Sequence, residues 1–364
     1  MIKRRWVLRE EKSGFSYGNY KDFEISPLVA RILHSRGLED YDSVHNFLNP
    51  SLKTIYDPKL LPNITDAAKR LKKAIDNKEE ILLFGDYDVD GITGSSILQK
   101  ALESMGALVT AYIPNRFTDG YGISAGPLER IFQEKKPAVV VSIDNGVVAF
   151  EAADFLKSKK VDFIVADHHR MNEDGSLPEA LIVHPKIPGS EYPNPNLCGA
   201  GVSFKLAWET ARQISNSEKL PENYRNLFID LTALVAMGTI ADIMPLTDEN
   251  RTLVAYGLRQ LEKTREAGLR SLVDSSKIKS PFRAGHVAYH VAPRINAAGR
   301  LGIGKRAFDL LTSNNYESAV VLAKELEDEN DIRREIEAEL TENAFKQVRD
   351  VYGDIPKIAG IVVA

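Results

Sequence analysis

The chain has 364 residues, too many for one ordinary core and enough for about two or three domains. Its 43% apolar content is ordinary for a soluble globular protein, and its net charge of −4 excludes nucleic-acid binding by overall charge while permitting a local basic groove. The single cysteine, Cys198, excludes an intramolecular disulfide and fits a reducing cytoplasm.

The first stretch, "MIKRRWVLREEKSG", is charged throughout and lacks the apolar centre of a signal peptide. No apolar run approaches the about 20 residues of a membrane helix. Residues 1–78 read as a small helical lead-in, with short helices in "SPLVARILHSRG" and "ITDAAKRLKKAIDN". From residue 81 the pattern changes. "ILLF" predicts a strand and "TGSSILQKALESMG" a helix; "ALVTAYIP" predicts a strand and "SAGPLERIFQEK" a helix. "AVVVSI", "VVAFEAADFLKSKK" and "VDFIVA" continue as strand, helix and strand. This alternation, with fully apolar strands, predicts an α/β fold whose parallel sheet carries helices on both faces. Helices are expected over roughly 199–215 and 224–241.

Residues 313–352 read as one long connecting helix, opened by a capping box of Asn314 with Glu317 and stopped at Gly353 and Pro356. Leu322, Leu326, Ile336 and Leu340 form a narrow apolar stripe on it, as in helices that bridge domains. "KIAGIVVA" then predicts a fresh strand, so 353–364 reads as the start of a further domain in a longer protein.

Acids collect where the strands end. "ILLFG" runs into Asp86, Asp88 and Asp90, "AVVVSI" into Asp144, and "VDFIVA" into Asp167, His168 and His169. Asp242 lies in "GTIADIMPL", between a helix and a proline. One such acid is ordinarily a turn former or helix cap. Four such events on one sheet edge would crowd carboxylates that cannot all remain ionised without cations. Oxygen ligands with one or two imidazoles suit Mn²⁺ or Mg²⁺. "DYDVDG" also matches the opening of a calcium loop, but the glutamate that loop requires is Ile97 here, and the motif follows a strand. Shared carboxylates around two cations point to phosphoryl chemistry. His168 could ligate a cation, and His169 could meet the phosphate or protonate the leaving oxygen. His34, His45, His184, His286 and His290 read as structural or solvent-exposed.

Taken in order, "FGDYDVDG", "SIDNG", "ADHH" and "GTIADIMPL" resemble the four motifs of the DHH phosphoesterase superfamily, in its RecJ branch. "IPNRFTDGYGIS", "LCGAGVSFKLAWE", "DENRTLVAYGL" and "APRINAAGRLG" extend the resemblance over nearly the whole chain. It implies a DHH phosphoesterase domain over 79–312 and, beyond the long helix, a DHH-associated domain of which only the first strand is present. It also implies a DNA repair and recombination hydrolase that cleaves single-stranded DNA from a 5′ end, in the cytoplasm, with two Mn²⁺ or Mg²⁺ ions. By motif position, Asp86, Asp88, Asp90, Asp144, His168 and Asp242 correspond to the metal cluster, with His169, His168 and Asp144 in the catalytic roles. Arg116, Arg294, Asn296 and Arg300 are expected on backbone phosphates, and Tyr121 on a base. The partners implied are single-stranded DNA, a single-strand-binding protein and a helicase. Two other readings compete: a phosphodiesterase for short oligonucleotides or cyclic dinucleotides, and an inactive replication-associated scaffold. The scaffold should have lost metal ligands, and here every expected acid and both histidines are present.

Overall fold

The computed structural model describes residues 14–353. The expected strand over 357–364 and the first residues of the chain lie outside them. The lead-in contains α1 (Pro27–Ser35) and α2 (Tyr41–Leu48), each started by a side-chain cap, Ser26 on the Val29 amide and Asp40 on the Ser43 amide. Tyr20, Ala30, Leu33 and Val44 give this part a small core of its own. The next helix, α3 (Ile64–Asp76), sends Ile64, Leu71 and Ile75 into the core shared with the sheet. The main layer therefore takes in α3, upstream of residue 79.

Strand–helix alternation follows: β1 (Glu80–Phe84), α4 (Val89–Ser104), β2 (Leu108–Tyr112), α5 (Ala125–Glu134), β3 (Val139–Ile143), α6 (Phe150–Ser158), β4 (Asp162–Ala166) and β5 (Leu181–Val183). All four pairings are parallel, in the order β2-β1-β3-β4-β5. The period of two along each strand divides the core between the faces. Ile81, Leu83, Val139 and Val141 face one side; Leu82, Phe84, Val140 and Val165 face α6 and the start of α5. The first side is covered by α3 and α4 with α7 (Gly199–Ser215) and α8 (Glu222–Ala241).

Beyond these lie α9 (Asp248–Lys263), α10 (Ala267–Ser275), the single turn α11 (Ala284–His286), a π-helical segment Val287–Val291, α12 (Ala292–Arg300) and α13 (Gly304–Thr312). The long helix α14 (Tyr316–Tyr352) has 37 residues. Its cap is Asn315, which accepts from the Ser318 amide, so the expected capping box of Asn314 with Glu317 is displaced by one residue. Gly353 ends it with φ +75°, as expected. Ala319, Ala323 and Leu326 are buried against the domain, whereas Ile332, Ile336, Leu340 and Phe345 are exposed.

Three local readings change. Strand β5 was hidden in "ALIVHP", too short to register as a strand. Helix α4 begins four residues before the expected start, because Asp88 caps it by accepting from the Gly91 amide at 3.0 Å. Asp90 therefore lies in the first turn of a helix, not on an extension of β1.

Candidate active site

In open parallel sheets, ligands settle outside the strand carboxyl ends where the strand order reverses. Here α4 crosses to β2 on one side of β1, while β3 lies on its other side, so the reversal falls between β1 and β3. Asp86 follows β1 and Asp144 follows β3. Both are buried.

Each acid is placed by a different device. Asp86 Oδ1 accepts from the Tyr87 amide at 2.7 Å. Asp90 reaches the start of α7, where its two oxygens accept from the Gly199 amide at 2.6 Å and the Ala200 amide at 2.9 Å. A helix N-terminus is a natural seat for a carboxylate, since its first amides are otherwise unpaired. Asp144 adopts φ +61°, a left-handed conformation costly for a side-chain-bearing residue and typical of functional positions. Close approach demands glycine around these groups. A Cβ on Gly199 would lie 2.6 Å from Asp144 Oδ1, and one on Gly238 would lie 2.3 Å from Asp90 Oδ1. Asp242 closes α8 as its C-cap residue.

The imidazole of His168 sits among these acids. Its Nε2 is 3.1 Å from Asp144 Oδ1 and 3.6 Å from both Asp90 Oδ2 and Asp242 Oδ2. Ligand atoms of Asp86, Asp88 and Asp144 come within 4.8 Å of one another, as do those of Asp90, His168 and Asp242, and those of Asp144, His168 and His169. Both ring nitrogens of His168 and Asp144 Oδ1 are buried without a hydrogen-bond partner. Burial and the neighbouring Asp88 push Asp86 up to about 7, and burial with Asp90 and Asp88 does the same to Asp242. Burial, then Asp90 and Asp88, holds Asp144 well above the usual carboxylate range, while burial lowers His168 and so keeps its ring neutral. Unpaired buried acceptors, repelling acids and a neutral imidazole together fit small divalent cations held by oxygen and nitrogen.

His169 is held separately. Its Nδ1 lies 2.8 Å from Asp167 Oδ1, which also accepts from the His168 and His169 amides. Burial works to raise Asp167, but the hydrogen bonds from His169 and the Val147 amide outweigh it and bring the carboxyl down to about 2. The same bond raises His169. Sequence reasoning counted Asp167 among the strand-end acids but gave it no metal or catalytic role; its signal was its place directly before the two histidines. His184, expected to be structural or solvent-exposed, is structural. That ring is fully buried, its Nε2 donating to the His169 carbonyl at 2.9 Å while Nδ1 accepts from the Lys186 amide at 2.9 Å.

The basic candidates divide. Arg116 is exposed, its guanidinium 5.7 Å from the centre of the Tyr87 ring, on a loop pinned by Asn115 Nδ2 donating to the Gly302 carbonyl at 2.9 Å. The Tyr121 hydroxyl lies 3.3 Å from His169 Nε2. Arg300 is exposed at the end of α12, and Asn296 is half-buried on the same helix. Arg294 is corrected. It is 4% exposed, ion-paired with Glu327 of α14, and donates to the carbonyls of His290 and Ser275. Its guanidinium is consumed in fastening α12 to α14 and is not presented to a phosphate.

Residues 80–239 match the family model described as DHH family, N-terminal domain. The chain is 35% identical over 351 residues to the single-stranded-DNA-specific exonuclease RecJ of Bacillus subtilis (strain 168), covering 95% of this chain and 42% of that protein. It is 33% identical to the protein of the same name from Haemophilus influenzae, covering 95% of this chain and 58% of the relative. The chain thus spans about half the length of these curated relatives. A crystal structure of exonuclease RecJ bound to manganese superposes with a TM-score of 0.70 at 32% identity, over 79% of this chain and 70% of that one. RecJ of Thermus thermophilus in complex with Mn²⁺ superposes with a TM-score of 0.76 at 30% identity, over 90% of this chain and 45% of that one. By fold, by the order of its motifs and by these likenesses, the chain belongs to the RecJ family of DHH proteins.

Proposed function

We propose that this chain carries the hydrolytic centre of a single-stranded-DNA-specific exonuclease that removes nucleotides from a 5′ end in DNA repair and recombination. The observation that carries the reading is the meeting of Asp86, Asp88, Asp90, Asp144, His168 and Asp242 at the sheet's switch point, with unpartnered His168 and Asp144 atoms among them. Asp86, Asp88 and Asp144 would hold one cation, and Asp90, His168 and Asp242 the other, with Asp144 Oδ1 beside both sets. Held by those residues, Mn²⁺ or Mg²⁺ would supply the chemistry of activating a water near neutral pH and of stabilising charge on the phosphoryl oxygens. RecJ structures containing each metal support that choice.

The remaining work belongs to the chain. Asp167 fixes His169 through Nδ1, leaving Nε2 toward the substrate side. There it can bind a phosphoryl oxygen or give its proton to the leaving oxygen. The upward shift of His169 favours the proton-bearing ring. Arg116 supplies a planar, permanently charged fork at the mouth of the site. Arg300 and Asn296 extend that surface along α12. A single strand with a 5′ end is the substrate. A single-strand-binding protein, a helicase and a cytoplasmic location accompany this reading by family context. Among the described residues no helix is long and apolar enough to cross a membrane.

The test compares wild type, Asp144→Ala and His168→Ala on a 5′-phosphorylated single strand and on a dinucleotide, with Mn²⁺. Both variants are expected to lose nucleotide release and calorimetric Mn²⁺ binding together. Turnover like the wild type in either variant sinks the assignment. Preference for the dinucleotide would favour a short-oligonucleotide phosphodiesterase.

A further inference from the structure

One contact at the site has no part in hydrolysis as drawn above. With Nδ1 of His169 committed to Asp167, its Nε2 is the atom left for a phosphate, and that atom is engaged by the Tyr121 hydroxyl at 3.3 Å. A hydroxyl can accept from a protonated ring or donate to a neutral one, so the contact persists in both states.

Tyr121 rides on a very short flap. Upstream, Asp119 is fixed by the Tyr112 hydroxyl at 2.7 Å and the Asn115 amide at 2.8 Å. Downstream, the Ile123 amide donates to Asn145 Oδ1 at 3.1 Å, one residue beyond Asp144. Only Gly120, Tyr121 and Gly122 lie between these tethers, and among the described residues none of the three makes a backbone–backbone hydrogen bond. Gly120 has φ +81° and Gly122 φ +71°, and a Cβ at Gly120 would meet nothing within 4 Å. Glycine at 120 therefore answers to backbone freedom rather than to space. Tyr121 itself is 60% exposed and meets Tyr87 and His169 only edge-on, at ring-centre distances of 6.4 and 6.3 Å. Nothing encloses the ring.

We propose that Tyr121 is a latch on His169: its hydroxyl occupies Nε2 in the ligand-free protein, and an entering phosphoester displaces it as the two glycines let the flap swing away. The inference rests on the phosphodiesterase reading, because it takes Nε2 as the atom that meets the phosphate. It differs from a base-stacking role for the same ring in what the hydroxyl does. A stacking ring works without its hydroxyl; a latch disappears with it. Substrate must replace the Tyr121 bond before its own bond to His169 counts, so the latch weakens binding.

The test is Tyr121→Phe in the full chain, with thymidine 5′-monophosphate as probe. Titration calorimetry is paired with ¹⁵N spectra of the histidine rings. The variant is expected to bind thymidylate about twofold to tenfold more tightly, the span of one hydrogen bond. In the free variant the Nε2 resonance of His169 should also differ from wild type. With the p-nitrophenyl ester of thymidylate and Mn²⁺, the variant should show a correspondingly lower KM. Equal or weaker thymidylate binding, an unmoved Nε2 resonance, or a loss confined to kcat each overturns the latch. If neither protein binds thymidylate or cleaves the ester, the phosphodiesterase reading fails and the latch with it. If both bind with equal affinity, the latch alone fails.

Discussion

Two clusters of buried charge sit along α7, and they are built on opposite plans. At its start, Asp90 joins Asp144 and Asp242 around His168, with Asp86 and Asp88 beside Asp144, acids beside acids, with atoms left unpaired. Further along the same helix, Lys205 is fully buried and lies 2.8 Å from Glu249 of α9. That pair is complete: Glu249 also accepts from the Tyr192 hydroxyl at 2.6 Å, Asn194 at 3.3 Å and the Tyr56 amide at 3.3 Å, and Lys205 donates to the Tyr56 carbonyl. Charge buried with its opposite and fully hydrogen-bonded holds elements together. Charge buried with its like, and left unsatisfied, is held in place by the fold for something that comes from outside. Burial alone distinguishes nothing; satisfaction does.

Mutations should separate the two plans by sign as well as size. Lys205→Ala strands Glu249 without its counter-charge and should destabilise the chain by about 3–5 kcal/mol in urea unfolding. A loss below about 1 kcal/mol would put Lys205 outside the structural class. Arg294→Ala, which frees Glu327 from its buried partner, should cost about 2 kcal/mol. Unchanged stability with weakened DNA binding would return Arg294 to the phosphate contacts expected from sequence. Asp86→Asn should act in the other direction, raising the stability of the chain in chelator at pH 7 by up to about 4 kcal/mol. Asp86 rises from an ordinary 3.8 to about 7 on folding, so its penalty is absent below about pH 4 and grows as pH climbs through that window. The gain from Asp86→Asn must therefore vanish near pH 4; a gain constant with pH breaks the like-charge account. Arg116→Ala, exposed and outside both clusters, should leave stability within about 0.5 kcal/mol. It should also lower the slope of log K against log salt for single-stranded DNA by about one phosphate's share. An unchanged slope removes its phosphate role.

The strand–helix alternation and the order of the acids were legible because both are local. Four apolar strands in a row, three of them running into acids, leave a readable pattern even in one sequence. What sequence could not supply was the partner of each group. Asp90 looked like the third member of an alternating strand edge; its position depends on amides 109 and 110 residues away, at Gly199 and Ala200. Arg294 looked like Arg300, its neighbour on the same helix, until Glu327 of α14 was folded against it. Asp167 carried a signal in its adjacency to His168 and His169, but an acid before a loop is common, and only the bond to Nδ1 separates the roles. His184 carried none, since a buried histidine that serves a carbonyl is written no differently from an exposed one.

The long helix has a mechanical consequence. Its last buried positions are Glu329 and Asn330, and it continues to Tyr352. At 1.5 Å per residue, the part beyond Asn330 projects about 33 Å from its seat. A tilt of about 10° at that seat would carry the far end through roughly 6 Å, by the geometry of a rigid rod of that length. The seat is fastened by Arg294 to Glu327 and by Arg306 Nη1 to Glu329 Oε1 at 2.6 Å. Arg294 belongs to α12, and a Cβ on Gly299 of that helix would lie 2.3 Å from the Tyr87 carbonyl, next to Asp86 and Asp88. The same short helix α12 thus meets the seat of the long helix through Arg294 and the Tyr87 backbone, beside Asp86 and Asp88 in the chain, through Gly299.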